Sequence, residues 1–123
     1  QKTSIGRLSA FCGAVSAGAG AGAGIAYLLG SDLDGISHTV ANAIATTGGI
    51  VCDGAKASCA SKIATAVEAG ILGYNMHIQD QDFQPDDGLV GDTPEDTISN
   101  IGRLGKEGMK STNEEIIKIM IGN

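Results

Sequence analysis

The pattern of apolar and polar positions divides the chain into five helical stretches separated by short breaks and one long irregular segment. Residues 8–29 carry no charge and are apolar around the whole helical circumference, which predicts a helix buried on every side. A membrane span and a silk-like strand compete with a core helix for such a stretch. The Gly/Ala alternation is confined to residues 17–24, and the flanking Leu, Phe, Val, Ile and Tyr recur at helical spacing, so the strand is excluded. Each interior glycine costs a helix roughly 1 kcal/mol relative to alanine. That cost predicts close helix approach at the small-residue pairs Gly18/Gly22 and Gly20/Gly24. Thr3 or Ser4 is the expected cap of a helix entering near Gly6, and Gly30 its stop.

Ser31 is the expected cap of a second helix, with Asp32 and Asp34 in its first turn; it runs to about Thr46 or Thr47 and breaks at Gly48-Gly49. Residues 50–54 are short, apolar and turn-terminated, and fit a tight corner. Residues 55–74 repeat Ile63, Val67 and Ile71 on one side of a third helix. Residues 75–92, rich in Asp and Gln, form an irregular loop. Thr93 caps a fourth helix with Pro94 at its first position, extending to about Arg103 or Lys106. Thr112 and Glu115 fit a capping box for the last helix, whose expected buried face is Ile116, Ile117, Met120 and Ile121. The fold class is all-α: about five helices around a central Gly/Ala-rich apolar helix, within one unit spanning residues 1–123.

Composition sharpens this picture in three ways. Glycine is abundant, 19 of 123 residues, and aromatics are few, so the core packs through backbone approach rather than large side chains. A net charge of −6 with no basic patch argues against nucleic-acid binding. The chain opens without a charged-then-apolar leader, and three cysteines, an odd number, do not suit a secreted disulfide framework. The expected setting is cytoplasmic, where cysteines serve metal ligation or catalysis.

Cys52 and Cys59 are seven residues apart, about 10.5 Å of rise on one continuous helix. The Asp53-Gly54 turn relieves this: Cys52 sits in the corner and Cys59 projects from the early turns of the helix. If the first helix passes alongside, Cys12 joins them. Three thiolates match an iron–sulfur cube with one iron open, or a zinc site completed by His38 or His77. Neither histidine stands at a ligand spacing from a cysteine, and both are expected as ordinary surface or loop residues. Asp80, Asp82, Asp86 and Asp87 fail a calcium-loop template, since its twelfth position is Gly91, and are expected to be a solvated loop.

The segment Gly49-Ile50-Val51-Cys52-Asp53-Gly54-Ala55-Lys56-Ala57-Ser58-Cys59-Ala60 closely resembles the signature of the L-cysteine desulfidase family, related to the alpha chain of iron–sulfur L-serine dehydratase. Arg7-Leu8-Ser9-Ala10-Phe11-Cys12-Gly13 and Ile101-Gly102-Arg103-Leu104-Gly105-Lys106-Glu107-Gly108-Met109 are similar to that family too. The resemblance implies that Cys12, Cys52 and Cys59 ligate a [4Fe-4S] cluster with one open iron. It implies that the chain is the C-terminal, cluster-binding segment of a longer catalytic domain, whose N-terminal remainder is its partner and carries the catalytic base. The implied reaction is β-elimination from a small amino acid: L-cysteine to sulfide, ammonia and pyruvate, or L-serine to ammonia and pyruvate.

Lys56 and Ser58, inside the motif, are candidates to contact the substrate. Backbone N–H groups at Gly54 and Ala55 are candidates to face the cluster, with Asp53 as helix cap. The ligand at Cys12 and the resemblance move residues 8–29 from a membrane to a protein core. No nucleic acid or membrane partner is expected, and room remains for a homo-oligomer. The alternative is a zinc-stabilised or non-catalytic helical interaction domain.

Overall fold

The computed structural model describes residues 9–122; the expected cap at Thr3 or Ser4 lies outside them. Five α-helices form: α1 (Gly13–Leu28), α2 (Leu33–Thr47), α3 (Ser58–Ile78), α4 (Pro94–Arg103) and α5 (Lys110–Ile121). A π-helical turn, Leu104–Gly108, joins α4 to α5. The all-α class holds among the described residues. The only extended pairing among them is an antiparallel bridge between Phe11 and Val51. No described helix is long and apolar enough to cross a membrane.

Local chemistry sets the helix ends. Gly30, at φ +87°, supplies the left-handed residue after α1. α2 is capped by Asp32, not Ser31: the Asp32 carboxylate accepts from the Gly35 N–H at 2.8 Å. Thr93 and Asp96 form a reciprocal capping box at α4, with Pro94 at its first position. α3 is displaced from its expected span, starting after the 55–57 bend and continuing to Ile78. α5 begins at Lys110 without the Thr112/Glu115 box, because it follows directly from the π turn.

The glycines decide how the first three helices meet. A Cβ on Gly18 would stand 2.2 Å from the Ala66 carbonyl oxygen, and one on Gly22 2.7 Å from the Gly70 Cα. Contacts that rise together along both helices make α1 and α3 parallel, at a constant sequence offset. Gly73, by contrast, lies against Thr39 and Ala43, while Gly35 lies beside His77, so α2 runs antiparallel to α3. The three helices pack on one another pairwise, with α1 against both α2 and α3.

Yet α1 is not buried on every side. Ala17, Gly20 and Gly24 are exposed, and nothing lies within 4 Å of a Cβ built on Gly20 or Gly24. Of the two expected small-residue pairs, only Gly18/Gly22 makes a helix contact. Phe11, Val15, Ile44 and Ile101 anchor the core, drawing α4 against α2. The expected buried face of α5 is also corrected: Ile116 is half-buried, while Ile117, Met120 and Ile121 are exposed. Among the described residues α5 meets little beyond the π turn and the Gly54 loop, where Met120 Cε sits 2.9 Å from the Cβ position of Gly54.

Candidate metal centre

The three cysteines gather where α1 and α3 begin. Cys12 is the residue immediately before α1, and Cys59 is the second residue of α3. Pairing Gly18 with Ala66 and Gly22 with Gly70 sets a register that brings Cys12 level with Ala60, one position from Cys59. Cys52 arrives by a separate route. The Phe11–Val51 bridge, with the Cys12 N–H donating to the Ile50 carbonyl at 3.2 Å, turns the side chains of residues 12 and 52 to one face. Diagonal neighbours of this kind stand roughly 7–8 Å apart at Cα, beyond disulfide reach. All three thiols are free, Cys12 buried and the other two half-buried.

Lys62 stands among them. Its ammonium donates to the Val51 carbonyl at 2.9 Å and to Asp53 Oδ1 at 2.5 Å. The Asp53 carboxylate holds Lys62 above the usual lysine range, and the nearby Cys12 and Cys59 thiols push the same way. Asp53 also pairs with Lys56 at 2.6 Å, and the Lys56 and Lys62 hydrogen bonds together lower its carboxyl to about 2. Lys62 was absent from the sequence-derived site, although it stands three residues after Cys59 on the same helix face.

Other expected site residues are placed differently. Asp53 is an ion-pair hub and not the cap of α3, whose flanking residue is Ala57. Gly54 and Ala55 belong to the loop before α3, with Gly54 at φ +95° and its carbonyl accepting from the Cys59 thiol at 3.4 Å. Lys56 is exposed and engaged with Asp53, and Ser58 is exposed at the first position of α3. His77 lies 18 positions beyond Cys59 on α3, about 27 Å along its axis. His38 stacks on His77 with ring centroids 5.3 Å apart. Neither histidine can complete a site with the cysteines, which corrects that expectation. A cleft of about 560 Å³ opens beside the cysteine loop, lined by Thr46, Thr47, Ile50, Thr65 and Glu68 among others.

The family signature of the serine dehydratase alpha chain matches residues 1–118. The chain belongs to that family. Its relatives include a UPF0597 protein of Desulfitobacterium hafniense, 62% identical over 98% of this chain, and one of Lachnoclostridium phytofermentans, 54% identical over 98%. A UPF0597 protein of Treponema denticola is 43% identical, again over 98% of the chain. The chain spans only 28–29% of the length of these relatives. No solved structure matches it.

Proposed function

We propose that this member of the serine dehydratase alpha chain family is the cluster-binding segment of an iron–sulfur lyase that eliminates the β-substituent of L-cysteine or L-serine. The observation that supports the proposal is the backbone register that sets Cys12 and Cys59 at the neighbouring N-termini of α1 and α3, with the Phe11–Val51 bridge tying the Cys52 corner to the same end. The donor set fits the group. Three unbridged thiols from three separate segments supply sulfur ligands for a [4Fe-4S] cluster and leave one iron without a protein thiolate. The Lys62 ammonium and the positive ends of two helices offset the negative charge of such a centre. When bound, the open iron supplies Lewis-acid stabilisation to the leaving sulfur or oxygen.

The chain's own residues then divide the remaining work. Cys12 is fixed by the α1 start and the bridge to the 50–52 corner, and Cys59 by the first turn of α3. Asp53 pairs with Lys56 through Oδ2 and with Lys62 through Oδ1, which keeps the Lys62 ammonium near Cys12 and Cys59. Lys56, half-exposed at the rim, is the group that binds a substrate carboxylate, with Ser58 beside it. No described side chain is assigned as the base for the α-proton; that role falls to the N-terminal remainder of the full-length protein. The exposed Tyr27, Leu28 and Leu29 at the end of α1, and Ile119 and Ile121 on α5, are apolar surface for that remainder to cover.

Anaerobic reconstitution of the full-length protein tests the reading. It predicts iron and sulfide bound in equal amounts and pyruvate released from L-cysteine or L-serine. Unchanged activity and iron content after Cys52→Ala would reject it.

A further inference from the structure

At the opposite end of α3, His38, His77 and Asp82 bring their ligand atoms within 4.8 Å of one another. Among the described residues they are the one group of three or more His, Cys, Asp or Glu side chains to converge so closely. His77 Nδ1 stands 2.8 Å from Asp82 Oδ2, and His38 Nδ1 stands 3.7 Å from the same oxygen. Two of the three side chains are oriented by a further residue. Asp34, one turn before His38, places Oδ1 3.5 Å from His38 Nε2, which favours a proton on Nε2 and turns Nδ1 inward. Asn42, one turn after His38 and buried, donates to Asp82 Oδ1 at 2.8 Å and to the Gly73 carbonyl at 3.1 Å. Its own amide oxygen accepts from the Phe83 N–H at 3.2 Å.

From this geometry we infer a second metal site, for a divalent ion of the zinc class, held by His38 Nδ1, His77 Nδ1 and the Asp82 carboxylate. Two imidazoles and one carboxylate on three segments, with Asp34 behind His38 and Asn42 behind Asp82, form the donor set such ions prefer. The ligands are partly exposed, 34%, 22% and 16% for His38, His77 and Asp82, so an ion can enter and water can fill its fourth position. Binding uses the lone pair of His77 Nδ1, so the neutral ring then carries its proton on Nε2. The ion staples the start of the 79–92 loop to α2 and α3. It shares no ligand with the cysteine site.

The test is a Co(II) titration of the chelator-dialysed full-length protein, followed by displacement with Zn(II). The expected result is one equivalent of Co(II) with visible d–d bands but without thiolate charge transfer, retained in Cys59→Ser. Affinity at that site should fall at least about tenfold in His38→Gln and in Asp82→Asn. Zn(II) should raise the thermal midpoint of the parent protein and not that of the variants. Comparing the metal-free melts of the two variants identifies one that is folded. Absence of this Co(II) class, its survival in a folded variant, or its loss in Cys59→Ser overturns the site.

Discussion

Gly22 and Gly70 touch backbone to backbone: a Cβ added to Gly22 would lie 2.7 Å from the Gly70 Cα. That contact, with Gly18 against Ala66 one turn earlier, fixes the register that sets Cys12 level with the start of α3. The glycines of α1 therefore differ in kind. Gly18→Ala should destabilise the protein by about 1–3 kcal/mol, since the added methyl meets backbone that cannot yield. Gly20→Ala and Gly24→Ala, facing open space, should stabilise it by up to about 1 kcal/mol each. Thermal unfolding followed by circular dichroism reads both signs, and equal effects at all three positions would refute the proposed packing.

Asp53 gives a pH signature. Its carboxyl is lowered from 3.8 to about 2 by hydrogen bonds to Lys56 and Lys62. A depressed folded-state value means the stabilisation is fully present above about pH 4 and is lost as pH falls towards 2. Asp53→Asn should therefore be less stable than the parent at pH 6, and the gap should close between pH 4 and 2. Acid titrations of the two proteins monitored by circular dichroism measure it. A gap that stays constant across that window contradicts the ion-pair hub.

Lys62 is the positioning residue of the cysteine site. Lys62→Gln keeps much of the side chain's bulk and removes the charge next to Cys12 and Cys59. Reconstituted iron should be lost to a chelator more readily, with affinity lower by about 10–100-fold. Lys62→Arg should recover part of the retention. Iron release timed by absorbance compares the three proteins.

Asn42 satisfies three partners from a buried position. Asn42→Ala leaves the Phe83 N–H and Asp82 Oδ1 without their Asn42 partner, and should cost about 1–3 kcal/mol. Limited proteolysis should then cut within residues 79–92 faster than in the parent. Thr93→Ala, which removes only the α4 cap, should cost about 1 kcal/mol without that change in cleavage.

The helix inventory was legible in the sequence because its signals are local. Thr93-Pro94 with Asp96, the Gly30 stop and the Gly48-Gly49 break act through neighbouring backbone groups, and the structure keeps each of them. The expected burial of α1 and α5 was not reliable. Uniform apolarity says that a face is able to be buried, whereas burial needs a neighbour. α1 packs on α2 and α3 but leaves Ala17, Gly20 and Gly24 open, and α5 has few neighbours.

The sequence by itself determined the all-α class, the family and the three thiols, since these rest on residue identity and order. Tertiary structure decided the rest. Parallel packing of α1 on α3 placed Cys12 beside Cys59, and the Phe11–Val51 bridge brought in Cys52. Lys62 entered that site by ion pairing with a loop aspartate, a contact across nine residues that no helical period encodes. The same packing carried His38 and His77 to the far end of α3, where antiparallel α2 returns. Proximity of residues distant in sequence depends on helix direction and register, and here backbone contacts at Gly18, Gly22, Gly70 and Gly73 set both.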